Sequence, residues 1–479
     1  MESIWSQSCE IEQRAPLPGS RKTEVAVIGA GMAGLLIASA LQEAGHSVLV
    51  LEAGRIASGQ TRNTTAKITS QHGLIYDKLI GTVGADKAKQ YALANQGAVE
   101  QYRQIIGRQN IHCDLEETWA YVYGNDLSVL RREAEAAAGL GLPASLVEET
   151  ALPFPAAGAV RFEHQAQFHP LKFLRALAEP LTIFEQTPVL KVEDHTVVTD
   201  RGRVEAEKIV FACHYPFVNV PGLYFARMHQ ERSYVVALRN AGPMEGMWIG
   251  AEQGENNWSF RSYHDLLLLG GGGHRTGENS KGGQYERLRK QARSWFPNSQ
   301  EVAHWSAQDC ITPDNIPYIG QYCPTKPDWY VATGFHKWGM TSSMVSALIL
   351  RDLIEGRENP WAEVFDPGRF DASTIPGIVS EGAHAVKGLV KRAFQIPAEQ
   401  AAGIPAGHGG IVSLKGEKVG VYKDESGTLY PVDIKCPHLG CQLEWNPEER
   451  SWDCPCHGSR FDRFGNLISG PAQEGLNHG

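Results

Sequence analysis

The chain has no run of eighteen consecutive apolar residues, so it offers no candidate for a membrane-spanning helix. No basic stretch is interleaved with aromatics and the net charge is −9, which argues against a nucleic-acid partner. The first residues, MESIWSQSCEIEQRAPLPGSRK, lack a basic segment followed by an apolar one. That excludes a secretory signal and predicts a disordered or loosely draped tail over 1–22 of a cytoplasmic protein. No internal repeat is visible. Cysteine is sparse, with nine in 479 residues. Five of them (Cys9, Cys113, Cys213, Cys310 and Cys323) are scattered and read as reduced structural thiols. The other four fall within 21 residues near the end of the sequence, and they are a signal of another kind.

What is present is ordinary globular sequence, 42% hydrophobic and 21% charged, long enough for two or three domains. VAVIG (25–29) reads as a buried strand, MAGLLIASALQEAG (32–45) as a helix ending on Gly45, and SVLVLE (47–52) as a second buried strand. This βαβ pattern predicts a parallel sheet. Residues 85–108, 172–179 and 340–356 have helical spacing. Residues 187–213 read as strand, hairpin and strand, and strand-like runs fill 222–270 and 328–335. A connector with one helix at about 381–394 leads to short strands and turns from Ile411 onward.

GAGMAG (29–34) fits G-x-G-x-x-G in the context that gives the pattern meaning, a strand before it and a helix after it. Gly29 permits the tight turn, Gly31 lets the backbone approach a pyrophosphate, and Gly34 allows close helix–strand packing. The helix N-terminus offers free N–H groups to the anion. Glu52 ends the next strand and suits a ribose hydroxyl pair. The pattern does not separate FAD from NAD.

Near the other end stand Cys436-x-His438 and Cys454-x-x-His457, separated by fifteen residues. Two Cys and two His satisfy a tetrahedral zinc site. They equally satisfy a Rieske [2Fe–2S] cluster, with Cys on one iron and His on the other.

Resemblance separates these alternatives. Residues 23–370 resemble the glycine oxidase, D-amino-acid oxidase and sarcosine oxidase superfamily of FAD enzymes. The matching strings are the loop ARIASGQTRNTTAKITSQHG after Glu52, EKIVFACHYP (207–216), TPDNIPYIG (312–320) and TGFHKWGMTSS (333–343). The resemblance implies a Rossmann-like FAD-binding domain with an interleaved antiparallel-sheet substrate domain. It places Ser58, Gly59, Thr64 and Thr65 along the flavin. Gly339, Met340 and Thr341 open a helix whose positive end stabilises reduced flavin by about 0.3–2 kcal/mol. His72, His336 and Lys337 lie in flavin-adjacent strings as candidates for proton transfer or tuning, whereas His169 reads as a turn residue.

Residues 409–479, after a linker over 371–408, resemble a Rieske domain of the cytochrome bc type, through C-P-H-L-G-C, C-P-C-H-G-S and GPA (470–472). The resemblance implies a small all-β domain. Cys436 and Cys454 bind its inner iron, His438 and His457 the outer one, Cys441 and Cys456 form a disulfide, and Ser459 bonds a cluster sulfur. Phe461 stands where many high-potential relatives have tyrosine. One fewer donor places the potential in the middle or lower part of the Rieske span of about −150 to +300 mV.

Together the resemblances imply oxidation of a C–N bond in an amine or amino acid. Hydride passes to FAD, the imine hydrolyses, and single electrons leave through the cluster to a protein or quinone-like acceptor. Amino-acid-oxidising relatives often carry an arginine where this chain has Asp309, so a cationic amine becomes plausible, with Arg227, Arg232 or Arg261 available for a carboxylate. Two other readings stay open: an O₂-using oxidase whose cluster is a sensor or staple, and a non-enzymatic electron carrier. A Rieske oxygenase is disfavoured, because only 17 residues follow Asp462 to supply a mononuclear iron site.

Overall fold

Val25, Ala26, Val27 and Ile28 are all buried, and a strand without an exposed side chain must be covered on both faces. In the computed structural model, which describes residues 2–252, 257–369, 401–414 and 416–476, they form the end of a strand at Arg21–Ile28. It pairs in parallel with Val48–Leu51 on one side and Arg203–Phe211 on the other. Thr182–Phe184 and Lys326–Thr333 extend the parallel sheet, and Tyr318–Cys323 closes one edge antiparallel. The helices Met32–Glu43 and Gly339–Ile354 pack on each other against this sheet. The second helix stops at Gly356, whose φ of +69° a side chain would resist.

A second, nine-stranded sheet is mostly antiparallel. From one edge its strands run Gln300–Ile311, His229–Arg239, Leu266–Arg275, Ser259–Tyr263, Met247–Gly250, Glu116–Gly124, Gly158–Gln167 and the short Lys67–Ile68, with Ala144–Val147 also paired to Gly158–Gln167. Its segments alternate along the chain with those of the parallel sheet, so the two units are interleaved as expected. Side chains alternate across the sheet. Val235, Ala237, Trp305 and Leu268 face the core shared with the parallel sheet. Tyr234, Val236, Leu238 and Leu269 face the opposite side, against the helix Gln284–Trp295. This parity decides what each face of the sheet can reach.

The C-terminal unit holds two small antiparallel sheets. One comprises His408–Leu414, Glu417–Lys423 and Leu429–Val432; the other Glu444–Asn446, Ser451–Asp453, Arg460–Asp462 and Leu467–Ser469. Leu443, Trp452 and Phe461 are fully buried in its core. Ala401 and Ile404 pack against Val412, Val419 and Val421, so the unit begins ahead of the expected boundary at 409. The helix expected at 381–394 lies outside the described residues.

The beginning of the chain departs from expectation. Ile4–Ser8 is a helix capped by the Ser3 hydroxyl, Trp5 has no exposed surface, and Leu17 is 3% exposed. The segment read as a loose tail is packed into the core, because Trp5 and Leu17 bury apolar surface against distant elements and not against each other.

Candidate functional site

The glycine-rich turn is built as a cradle. Gly29 has φ +107°, and a Cβ there would lie 2.6 Å from the Ala212 carbonyl oxygen. A Cβ on Gly34 would lie 1.8 Å from the Gly29 oxygen, so only glycine allows the helix to sit this close to the strand. Gly31 caps the helix without a side-chain bond, leaving backbone donors at its positive end. Glu52 accepts from the amides of Ala30 and Gly54, both at 2.8 Å. Burial nevertheless raises its pKa. A close-approach glycine turn beside an acidic strand end fits the pyrophosphate and ribose of FAD.

The expected flavin loop follows. Ser58 Oγ accepts from the Arg55 amide at 3.2 Å, Gly59 precedes a short 3₁₀ turn at Gln60–Asn63, and Thr64 Oγ1 accepts from the Ala66 amide at 2.9 Å. The loop is held from two directions. Trp5 Nε1 donates to the Thr64 carbonyl at 2.7 Å and Ser3 Oγ to that of Arg62 at 2.5 Å. Arg261 donates to the carbonyls of Thr65, Ala66 and Phe168. Arg261, once a candidate for a substrate carboxylate, is thus committed to the loop. Removing the Trp5 ring deletes a buried aromatic and a loop hydrogen bond, so Trp5→Ala is expected to cost about 3–5 kcal/mol. A lowered melting temperature with FAD lost on gel filtration checks this; unchanged FAD retention counts against the clasp.

The helix starting at Gly339 also lacks a side-chain cap, since Trp338 occupies that position. The amides of Gly339, Met340 and Thr341 are therefore available as backbone donors. Thr341 Oγ1 is turned inward, donating to the Thr69 carbonyl at 3.2 Å and lying 3.1 Å from His72 Nε2. His72 is buried, stacked on Trp338 with ring centroids 4.7 Å apart, and bonded to the Tyr91 hydroxyl at 2.6 Å. Burial pushes its pKa down to about 3. At ordinary pH the ring is therefore neutral, packed between Trp338 and the Tyr91 and Thr341 hydroxyls. His336 is similar. Its Nε2 accepts from the Thr312 amide at 3.1 Å and lies 2.7 Å from the Thr312 hydroxyl, and burial lowers it to about 4. It fixes the T-P-D turn. His169 caps the helix Pro170–Ala178 by accepting the Lys172 amide.

Asp309 sits half-buried on the core side of the antiparallel sheet, directly opposite Glu231 on the neighbouring strand. Burial pushes its carboxyl up to about 7, Glu231 adds to the rise, and Lys337 and Arg232 oppose it. Lys337 is exposed beside Gly273. Two residues of this face escaped sequence reading. Glu231 lies 3.4 Å from His229 Nε2. Lys67 has an ammonium bonded to the Trp248 carbonyl at 3.0 Å and Ser259 Oγ at 2.5 Å, and burial takes it down to about 7. No local pattern marks either, because each is one charged residue in a strand.

At the far end, Cys436, Cys454 and His457 are buried and His438 is partly exposed. The imidazoles stand 4.9 Å apart between centroids. His438 Nδ1 and His457 Nδ1 are both buried without a hydrogen-bond partner. Two orphaned ring nitrogens demand an explanation. A cluster iron ligated there supplies it, which is the fit expected of a [2Fe–2S] centre. The Cys436 and Cys454 thiols share a hydrogen bond, which holds Cys436 protonated and takes Cys454 down to about 7. Cys441 and Cys456 form a disulfide with Cα atoms 6.5 Å apart. Ser459 Oγ accepts from the Ala472 amide at 3.0 Å and bonds the Cys436 side chain. Phe461 is fully buried and adds no donor.

The ligand loops lie against the antiparallel sheet, on the face opposite Asp309. Gln230 donates to the carbonyls of His457 (2.6 Å) and Gly470 (3.3 Å), and Gln308 to that of Gly458 (2.8 Å). Arg275 donates to the Pro455 carbonyl, and His438 Nε2 lies 2.8 Å from Asn219 Oδ1. Arg232 pairs with Glu449 at 2.5 Å, so it too is unavailable to a substrate. Arg227 donates to the Pro367 carbonyl and lies over Tyr224 and Tyr318.

Residues 24–353 match the family model of FAD dependent oxidoreductases, and residues 395–478 that of the Rieske [2Fe-2S] domain. The Bacillus subtilis (strain 168) Rieske 2Fe-2S iron-sulfur protein YhfW is 36% identical over 98% of this chain and 96% of its own length. Cytochrome b6-f complex iron-sulfur subunit 2 of Trichormus variabilis is 46% identical over 68 residues, 14% of this chain and 38% of that subunit. The fold is similar to L-proline dehydrogenase from P. horikoshii, with TM-score 0.63, 19% identity, and coverage of 74% of this chain and 98% of that one. It is also similar to glycine oxidase from Geobacillus kaustophilus, with TM-score 0.59, 21% identity, and coverage of 73% and 100%. No helix among the described residues is long and apolar enough to cross a membrane. The chain therefore belongs to the FAD dependent oxidoreductase family and carries a C-terminal Rieske domain, with FAD and a [2Fe–2S] cluster as its cofactors.

Proposed function

We propose that this protein oxidises a C–N bond in an amine or amino acid and exports the electrons singly through the cluster to an external acceptor. One observation carries the reading: the cluster loops are docked on the very sheet whose other face meets the flavin loop. Bound FAD supplies a two-electron hydride acceptor, and a [2Fe–2S] cluster a one-electron relay. The structural relatives named for L-proline dehydrogenase and glycine oxidase support the substrate class.

The chain's own residues do the rest. The loop Ser58–Thr65 and the uncapped helix at Gly339 orient the flavin ring. Asp309 and Glu231 present carboxylates to the substrate side, where opposed like charges call for a cationic partner. Lys337 limits how much negative charge accumulates there.

Anaerobic addition of an amine and amino-acid panel should bleach the flavin and then reduce the cluster. If no member of a broad panel does either, the reading fails. Hydrogen peroxide formed in proportion to substrate would instead favour an oxidase. Because Asp309 ionises near pH 7, affinity for a cationic amine should rise up to about tenfold per pH unit below 7 and level off above it. Asp309→Asn should flatten that profile, and Asp309→Arg should shift preference toward anionic substrates. A profile unchanged in Asp309→Asn would remove Asp309 from substrate binding.

A further inference from the structure

We propose that Gln308, with Gln230 beside it, is the positioning residue that sets electron passage from the flavin site to the cluster; this rests on the proposed flow between the two cofactors. Both glutamines are only 1% exposed. A buried amide is retained only where its polar atoms are used. Here they are used across the interface. The Gln308 amide donates to Gln60 Oε1 in the flavin loop at 2.7 Å. Its side chain donates to the Gly458 carbonyl at 2.8 Å and to Gln230 Oε1 at 2.6 Å, and it accepts from Arg232 at 3.0 Å. Gln230 grips the carbonyl of the cluster ligand His457 at 2.6 Å. One residue thus joins the flavin loop to the cluster loop through two hydrogen bonds and its own backbone.

The fit tolerates no slack. Gly458 has φ +80°, and a Cβ there would lie 2.7 Å from the Gln230 side chain. Electron transfer falls steeply with any through-space gap, so a bonded, close-packed crossing favours it. The Arg232–Glu449 pair also docks the two units, but it lies beside the ligand loop and makes no bond to it.

One electron crosses from the two-electron-reduced flavin to the oxidised cluster, and an external one-electron acceptor then reoxidises the cluster. A second crossing returns the flavin to its oxidised form, with its proton released to water, and a second equivalent of the acceptor reoxidises the cluster again.

The test uses holoprotein in which the flavin is photoreduced with EDTA as electron donor, so no substrate is needed. Cluster reduction is followed by transient absorbance, with cluster electron paramagnetic resonance as the check on its environment. Gln308→Met is expected to slow flavin-to-cluster transfer at least tenfold while FAD content, iron content and resonance g-values stay unchanged. If that variant fails to fold, Gln308→Glu keeps the Arg232 contact, lacks the donor to Gly458, and should slow transfer in the same direction. Transfer at the parent rate in a folded variant overturns the role of Gln308. No transfer in the parent protein overturns the electron-flow reading itself.

Discussion

Cys454→Ser empties the cluster site and leaves the flavin in place. Cys454 is 1% exposed and Cys436 2%, so water cannot substitute freely for a missing ligand. No spare thiolate stands by. The sulfurs of Cys441 and Cys456 lie within 4.8 Å of that of Cys454, but they are bonded to each other and donate as a disulfide, not as thiolates. Iron should therefore fall from about two per chain to near zero, because a Cys₂His₂ ligand set has no redundancy. The orphaned His438 and His457 nitrogens would stay unpaired, and metal loss would lower the stability of the small domain, since binding energy there is also folding energy. FAD content should be unchanged, as no glycine-turn or flavin-loop bond involves Cys454. Reduction of an external one-electron acceptor should drop at least hundredfold. Iron analysis and electron paramagnetic resonance of the dithionite-reduced protein decide the matter. Full iron retention, or zinc in the parent protein, would refute the assignment of these ligands.

Glu449→Gln separates the two units without touching a cofactor. Glu449 is enclosed by Arg232 at 2.5 Å, Arg460 at 2.9 Å and Ser306 at 2.5 Å. Arg460 in turn pairs with Asp453 at 3.0 Å, so a four-charge network spans the interface. Burial works to raise the Glu449 pKa, but Arg232 and Arg460 overcome it and hold the carboxyl down to about 2. Removing one member of a buried pair strands the other, at a cost of roughly 3–5 kcal/mol. Glu449→Gln is expected to lose that much docking energy, seen as separate melting of the two units in calorimetry. Because the folded pKa is depressed, the contribution is complete above the ordinary carboxyl range near 4.5. It is lost as pH falls from there toward 2, amounting to about 3 kcal/mol. The parent protein should therefore undock on acidification through that window, and the variant should show no such step. A single melting transition in both proteins at all pH values would show that the network does not carry the docking.

The order of elements was legible wherever local chemistry repeats along the chain. GAGMAG, with an apolar strand before it and a helix after it, announced the nucleotide end, and the two Cys-His strings announced the cluster. The helix expected at 85–108 is found at Ala85–Arg108. What stayed hidden depends on partners far away in sequence. Trp5 looks like part of a polar tail until Thr64 and Arg261 come to it. Gln230 and Gln308 are single amides in β-strands, and their bonds to residues 457–470 appear only once the small unit docks. Arginine positions misled for the same reason. Arg232 and Asp309 sit on neighbouring strands but point to opposite faces, and the alternation is readable while the face that meets the flavin is not. The charge state of His72 was hidden too, because burial, which no motif reports, keeps the ring neutral.

The interleaving of the two large sheets has a consequence for biosynthesis. The central strand Arg21–Ile28 waits for a neighbour at Arg203–Phe211, and that neighbour waits for Lys326–Thr333. Two-thirds of the polypeptide must leave the ribosome before the first sheet is complete, which makes this half slow and dependent on distant pairings. The last unit is translated in one unbroken stretch with mostly nearest-neighbour strands, so it can mature as soon as it emerges. Iron delivery and flavin uptake are thereby uncoupled in time, and the final union of the halves becomes the step at which a competent molecule is born.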